Sequence, residues 1–332
     1  MACGTLDDVG RVASQDVAAF IEEWYNDNDF VIGHTSGSTG KPKEIKLRKS
    51  DMRHSAEMTN RFFSLTSDSR MLLCLSPSYI AGKMMLVRAI VSGADIYEEK
   101  PSNNPLSEYS GVAFDFAAMV PSQAKVVVEN PERLRYIKKL IIGGGAVSAD
   151  LRKAIVENQI EAYSTYGMTE TCSHVAISKI EIQVNPFCAL PSTTFEIDNR
   201  NCLIINSPRF SFRKLVTNDV VDLLSPTEFY WKGRYDNVIN TGGIKVFPED
   251  IEKKIANLID VRFYISSRES KKWGNEVVLI LERKEMEMCD RQKLMSLMKK
   301  CLPAFSVPKE IICIPQFKET SSGKVLRNSH VN

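Results

Sequence analysis

Within its first 170 residues the chain runs three times from a short apolar stretch straight into a glycine-bearing turn. Phe30–His34 leads into Thr35-Ser36-Gly37-Ser38-Thr39-Gly40-Lys41-Pro42-Lys43. Lys139–Ile142 leads into Gly143-Gly144-Gly145-Ala146, and Ile160–Tyr163 into Ser164-Thr165-Tyr166-Gly167-Met168-Thr169-Glu170. Strand, glycine loop and helix in succession are the local grammar of an α/β sheet. The intervening segments fit. Glu44–Leu47 reads as a return strand and Met71–Leu75 as another strand. Ser50 stands where an N-cap would begin a helix running to about Ser64, Ala81–Ser92 is helical, and Ser148 would cap a helix over Ala149–Asn158.

From Thr193 to Trp231 the texture changes. The runs TTFEI, CLIIN, VVDLL and EFYW, separated by Asn, Pro and Ser, read as an antiparallel β-rich subdomain. Beyond Asp236 come a helix from Pro248, strands at Val261–Ser266 and Glu276–Glu282, a helix around Asp290–Lys300, and a tail. The expected fold is therefore α/β. A large part over residues 1–235 contains the β-rich subdomain, and a small α+β part covers 236–332.

Composition excludes several classes. With 43% hydrophobic residues the chain can bury a core, which rules out intrinsic disorder. Its 43 Lys+Arg against 41 Asp+Glu leave a net charge of +2, too little for a protein that coats nucleic acid or an anionic membrane. The eight cysteines include no C-x-x-C pair and the four histidines are scattered, so the cysteines read as reduced thiols and not as zinc ligands or a disulfide framework. The opening MACGTLDDVG lacks a signal-peptide pattern, and no apolar run approaches the ~18 residues of a membrane span. The reading is a cytoplasmic protein with no membrane insertion and no nucleic-acid partner.

The first loop has the means to hold an anion. Glycines let the backbone curl, hydroxyls and N–H groups donate to phosphate oxygens, and Lys41 and Lys43 add charge. It is not a Walker A loop, because Pro42 follows Gly40-Lys41 where Ser or Thr would be needed. A flexible surface linker remains the alternative on these residues alone.

Taken in order, the segments resemble the signatures of the adenylate-forming superfamily, the acyl-CoA synthetases and their relatives. The run from Thr35 to Lys43 is similar to that family's phosphate loop, which implies Thr35, Ser36, Gly37, Ser38, Thr39, Gly40 and Lys43 around ATP phosphates. Tyr166-Gly167-Met168-Thr169-Glu170 resembles its YGxTE motif. That match implies Glu170 for Mg²⁺, Thr169 for the phosphates, and Thr165, Tyr166 and Gly167 along the nucleotide. Gly143, Gly144, Gly145 and Ala146 resemble the segment lying along the adenine. Thr217-Asn218-Asp219 stands where the family has Thr-Gly-Asp, so Asp219 would hold the ribose, with Asn tolerating the left-handed turn. Gly233-Arg234-Tyr235-Asp236 resembles the hinge motif, with Arg234 at the ribose or phosphate and Asp236 as pivot. Thr241-Gly242-Gly243-Ile244-Lys245 resembles the glycine loop of the thioester-forming arrangement. Thr320-Ser321-Ser322-Gly323-Lys324-Val325-Leu326-Arg327 resembles the C-terminal motif whose lysine, here Lys324, is catalytic. The departure is at the start, where some thirty residues precede the loop and the family has a long segment. A shortened N-terminal part is expected.

The resemblance implies an ATP-dependent, AMP-forming acid–thiol ligase with Mg²⁺, and CoA as co-substrate. A carboxylate would be adenylated and then passed to the thiol, the small part swinging about Asp236 between steps. Its partners would be a small carboxylic acid, ATP and CoA, and a homo-oligomer is left open. For the acid, Arg88 is informative. It interrupts an apolar helix, MMLV-R-AIV, and a buried guanidinium needs an anion. That anion is either a substrate carboxylate or an internal partner such as Asp95 or Glu98. The stretch Leu75–Gly82, with Tyr79 where His is usual, and the extended YGMTETCSH resemble the 2-succinylbenzoate–CoA ligases of menaquinone biosynthesis. The substrate residues so implied are Tyr79 and Arg88. The alternatives are another acyl- or aryl-CoA ligase, or an enzyme that loads a carrier protein.

Overall fold

The structure, a computed structural model, describes residues 14–35, 43–318 and 325–327. Its centre is an eleven-stranded sheet. Strands Asp95–Glu98, Arg70–Leu73, Phe116–Met119, Lys139–Ile142 and Glu161–Gly167 lie side by side and parallel. Beyond Glu161–Gly167 the sheet continues antiparallel through His174–Lys179, Phe187–Ala189, Glu228–Arg234, Lys214–Ser225, Cys202–Asn206 and Thr194–Ile197. The change of texture along the sequence is thus a change from parallel to antiparallel pairing within one sheet.

Burial explains both textures. Parallel strands carry helices on both faces and read as unbroken apolar runs. Phe116–Met119 is buried at every position. Met71 and Leu73 face one core cluster with Phe63 and Phe116, while Leu72 faces a second with Ala117 and Leu140. Helices Ile80–Ser92, Pro121–Val128 and Ala149–Glu157 lie between successive parallel strands in the chain, as such crossovers require. The Ser148 hydroxyl accepts the Leu151 N–H at 3.2 Å, the expected cap.

Ser50 is a correction. The helix Lys49–Phe63 begins two residues earlier than a cap at Ser50 would have it, with Arg48 at the cap position and no side-chain cap bond. Strand Lys43–Arg48 runs directly into it, and the Lys49 N–H is already taken by the Asp29 carbonyl at 2.8 Å. A tertiary contact therefore satisfies the first donor, and Ser50 lies inside the first turn.

A second, five-stranded sheet follows. Strands Ile244–Val246, Ile239–Thr241, Gly274–Glu282 and Phe263–Ser270 pair in that order, and Glu310–Ile314 joins Gly274–Glu282 in parallel. Helices Pro248–Ile255 and Met288–Cys301 contribute Ile251, Ile255, Leu294 and Met298 to its core.

Candidate active site

Three strand ends bring the sequence motifs together. Phe30–Thr35 and Lys43–Arg48 form an antiparallel hairpin with Thr35 opposite Lys43. Ser36, Gly37, Ser38, Thr39, Gly40 and Lys41 lie outside the described residues. The first hairpin strand contacts the tight turn Thr169–Thr171, so the flanks of the phosphate loop and the Glu170 turn are neighbours. Glu170 is exposed, and among the described residues it makes no hydrogen bond or ion pair. Thr169 beside it is half-buried.

The turn is rigid. A side chain at Gly167 would place Cβ 2.1 Å from the Ser173 carbonyl oxygen, so only glycine fits. The Thr171 hydroxyl accepts the Met168 N–H at 3.0 Å and lies 2.6 Å from the Ser173 carbonyl. Thr171 is fully buried and was not among the residues expected from sequence.

The glycine segment lies one strand away. Lys139–Ile142 pairs in parallel with Glu161–Gly167, and the Gly143 N–H donates to the Met119 carbonyl at 3.1 Å. A Cβ at Gly143 would meet Thr165 Oγ1 at 2.6 Å. Gly143–Ala146 and Thr165–Gly167 thus lie side by side at the carboxyl ends of adjacent parallel strands, the end of an open α/β sheet at which ligands bind.

Asp219 joins the same strand end through Tyr166. Tyr166 Oη donates to its Oδ2 at 2.9 Å and Trp231 Nε1 to its Oδ1 at 3.1 Å, while Arg234 Nη1 stands 3.9 Å from Oδ1. Burial, and then the Asp219 charge, push the Tyr166 phenol well above its usual range. Arg234 also pairs with Asp236 at 3.0 Å, and Asn218 lies within 3.4 Å of the same carboxylate. Asp219, Arg234 and Asp236 are therefore one connected set.

Arg88 is the most buried charge in this region, at 1% exposure. Its Nη2 donates to Ser173 Oγ at 2.6 Å and its Nη1 lies 3.5 Å from Met85 Sδ, whereas Nε has no partner among the described residues. Neither Asp95 nor Glu98 pairs with it, and no other described carboxylate does. Burial pulls its pKa down to about 9. Ser173 Oγ is 3.2 Å from His174 Nδ1, and His174 Nε2 is 3.3 Å from Thr59 Oγ1. Burial, and then the Arg88 charge, hold His174 well below its usual range, so it is neutral. Arg88 thus heads a buried polar chain immediately behind the Glu170 turn. Ser173 and His174 are the last residues of the run YGMTETCSH and carry no sequence signal of their own. Tyr79, at the start of the same helix as Arg88, is 53% exposed.

Lys324 lies outside the described residues, and its flanks are anchored on the second sheet. The Leu326 N–H donates to the Lys318 carbonyl at 2.8 Å, and Val325 packs with Tyr264 and Phe317. Arg327 makes paired bonds of 2.7 and 2.9 Å to Glu252 on helix Pro248–Ile255. Burial outweighs that cation and lifts Glu252 above its usual range. Asn237, beside Asp236, donates to Glu249 on the same helix at 2.5 Å. The Gly242 N–H bonds the Trp273 carbonyl at 2.9 Å, and Gly242 and Gly243 both have positive φ. One helix therefore links the segment around Asp236 to the end of the lysine motif.

Comparison with known proteins bears on the family and the fold. A profile of the family described as AMP-binding enzyme matches residues 7–206. The 2-succinylbenzoate–CoA ligase of Enterococcus faecalis is 22% identical, over 90% of this chain and 68% of its own. That of Bacillus subtilis is 22% identical, over 97% and 72%. A crystal structure described as an acyl-CoA synthetase (AMP-forming)/AMP-acid ligase II-like protein from Dyadobacter fermentans is 33% identical, with TM-score 0.61 over 92% of this chain and 90% of that one. The Bacillus subtilis o-succinylbenzoate CoA synthetase in complex with the acyl-adenylate intermediate OSB-AMP shares the fold at TM-score 0.77 and 21% identity, over 90% and 68%.

Proposed function

The chain belongs to the AMP-binding enzyme family, and from that premise we propose that it is an ATP-dependent acid–CoA ligase that converts 2-succinylbenzoate to 2-succinylbenzoyl-CoA, a step of menaquinone biosynthesis. The observation that carries the choice of acid is Arg88. A guanidinium at 1% exposure with an unpartnered Nε and no described carboxylate in reach is an incomplete ion pair. Leaving such a charge unpaired is costly, and a substrate carrying a second carboxylate completes it. The relatives named for 2-succinylbenzoate support the same reading.

In the first half-reaction the acid's carboxylate oxygen attacks the α-phosphorus of ATP and pyrophosphate leaves with the bonding electron pair. Charge develops on phosphoryl oxygens, so the residues serve as donors and cations and not as nucleophiles. The hydroxyls and amides from Thr35 to Gly40, with Lys43, would cradle the β- and γ-phosphates, and Thr169 would add a hydroxyl. Asp219 would hold the ribose, and the flat backbone Gly143–Ala146 would lie along the adenine. Glu170, exposed and without a described partner, fits a Mg²⁺ ligand. Mg²⁺ needs only one or two protein carboxylates beside phosphate oxygens, and when bound it neutralises charge on them. Lys324 would meet the α-phosphoryl oxygens during adenylation. In the second half-reaction the CoA thiol attacks the acyl carbon, AMP leaves, and the thiol proton passes to solvent. For thiol access, Asp236 would be the pivot that withdraws Lys324.

The test is a screen of carboxylic acids in the presence of ATP, Mg²⁺ and CoA, read by pyrophosphate release and by thioester absorbance. 2-Succinylbenzoate should stand out from benzoate and from fatty acids. Turnover of other acids at equal or greater efficiency overturns the choice of substrate. Pyrophosphate release with no CoA dependence overturns the ligase.

A further inference from the structure

The hairpin that ends in Thr35 and Lys43 pairs with neither larger sheet. A two-stranded ribbon is marginal by itself in water, so whatever docks it decides how firmly it presents the residues between its strands. Helix Gln15–Tyr25 does the docking. Val17, Phe20 and Trp24 anchor it in the main core, and beyond its end Lys49 Nζ donates to the Asn26 carbonyl at 2.8 Å. One side chain of this helix touches both halves of the site. Glu23 Oε1 accepts the Ile32 N–H, on the outer edge of the hairpin, at 2.7 Å. Glu23 Oε2 accepts from Lys83 Nζ at 2.6 Å. Lys83 lies on helix Ile80–Ser92, five residues before Arg88, and its side chain is 10% exposed. The Phe20 ring lies under the same ammonium at 5.0 Å.

We infer that Glu23 is a positioning residue that couples ATP binding to acid binding, by fixing the phosphate hairpin and the Arg88 helix to one carboxylate. The inference rests on the proposed function. A shift of either element stretches a charge-assisted bond, and such bonds are about twice as strong as neutral ones. Acid bound at Arg88 holds the helix, hence Lys83, hence Glu23, hence the Ile32 N–H. By linkage ATP must then favour the acid by the same factor.

The experiment is calorimetric titration of α,β-methylene-ATP with Mg²⁺, an ATP analogue whose α–β bridge the adenylation step cannot cleave, into the wild type, Glu23→Gln, Glu23→Ala and Lys83→Met, each with and without 2-succinylbenzoate, beside their melting temperatures and deuterium uptake at Ile32. In the wild type the acid should tighten ATP several-fold. Glu23→Ala should weaken ATP about tenfold, remove the effect of the acid and speed exchange at Ile32. Glu23→Gln keeps an acceptor for the Ile32 N–H, and Lys83→Met leaves that bond untouched. Both should bind ATP within about threefold of the wild type yet lose the effect of the acid. These two variants decide the matter if Glu23→Ala fails to fold. Retention of the full acid effect in both, or a loss of melting temperature with unchanged binding, overturns the inference. A wild type that binds no ATP overturns the proposed function itself, and the inference falls with it.

Discussion

Arg88 Nη2 lies 2.6 Å from Ser173 Oγ, joining a helix of the main sheet to the end of the Glu170 turn across 85 residues of sequence. The serine is neutral, so the bond leaves the guanidinium charge uncompensated. Arg88→Ala should therefore raise KM for 2-succinylbenzoate by about a hundredfold, the worth of charge-assisted bonds in a buried site. An analogue that keeps the adenylated carboxylate and lacks the second one should suffer far less. Steady-state kinetics on the pair decide it, and equal losses would make Arg88 a purely structural residue.

Lys324→Ala should slow adenylation by about 10²–10³, the usual cost of removing one donor to a developing charge. Thioester formation from supplied acyl-adenylate should survive. Pyrophosphate exchange reports the first half and thioester absorbance the second. A matching loss in both would end the division of labour assigned to the lysine.

Tyr166→Phe removes one of the two aromatic donors to buried Asp219. A buried acceptor left short costs about 1–3 kcal/mol, so the urea midpoint should fall with an unchanged slope. ATP affinity should fall too, because the carboxylate loses the bond that aims it. A variant with native affinity would show that Asp219 is oriented by Trp231 alone.

Acid should destabilise the chain through His174. Burial and Arg88 hold its pKa well below 6.5, so the folded chain keeps it neutral while the unfolded chain gains a proton as pH drops below about 6.5. More protons on the unfolded state means that stability falls with falling pH in that range. Replacing His174 with Asn should remove up to about 1.4 kcal/mol per pH unit of that slope between pH 6.5 and 5. Melting temperatures across this range would show it, and an unchanged slope would assign the effect elsewhere.

Some of this was legible in the sequence because it is local. Ser148 before an amphipathic stretch caps its helix, and the apolar runs that end in glycine are neighbouring parallel strands. A lone arginine in MMLV-R-AIV reads as a buried charge without any fold, and Arg88 is buried. What stayed hidden depends on distant pairing. Ser50 satisfies every local rule for a cap, yet Asp29 supplies the bond from across the hairpin. Glu310–Ile314, five residues between prolines, becomes a strand only because Gly274–Glu282 offers it an edge. Helix Gln15–Tyr25 carries an apolar stripe at Val17, Phe20 and Trp24, short enough to pass for a polar lead-in. Ser173 and His174 gain meaning only when Arg88 arrives beside them.

Tyr166 and Asp219 touch although their strands are four positions apart in the sheet. At about 4.8 Å per position a flat sheet would separate those backbones by roughly 19 Å. The antiparallel half must accordingly roll over into a trough, and the Tyr166–Asp219 bond is its closure. The seam is the narrow strand Phe187–Ala189, where Phe187 stacks on Phe229 at 5.5 Å. A bulky wedge at that seam would unroll the trough, so the nucleotide would be lost through damage to residues that never meet it.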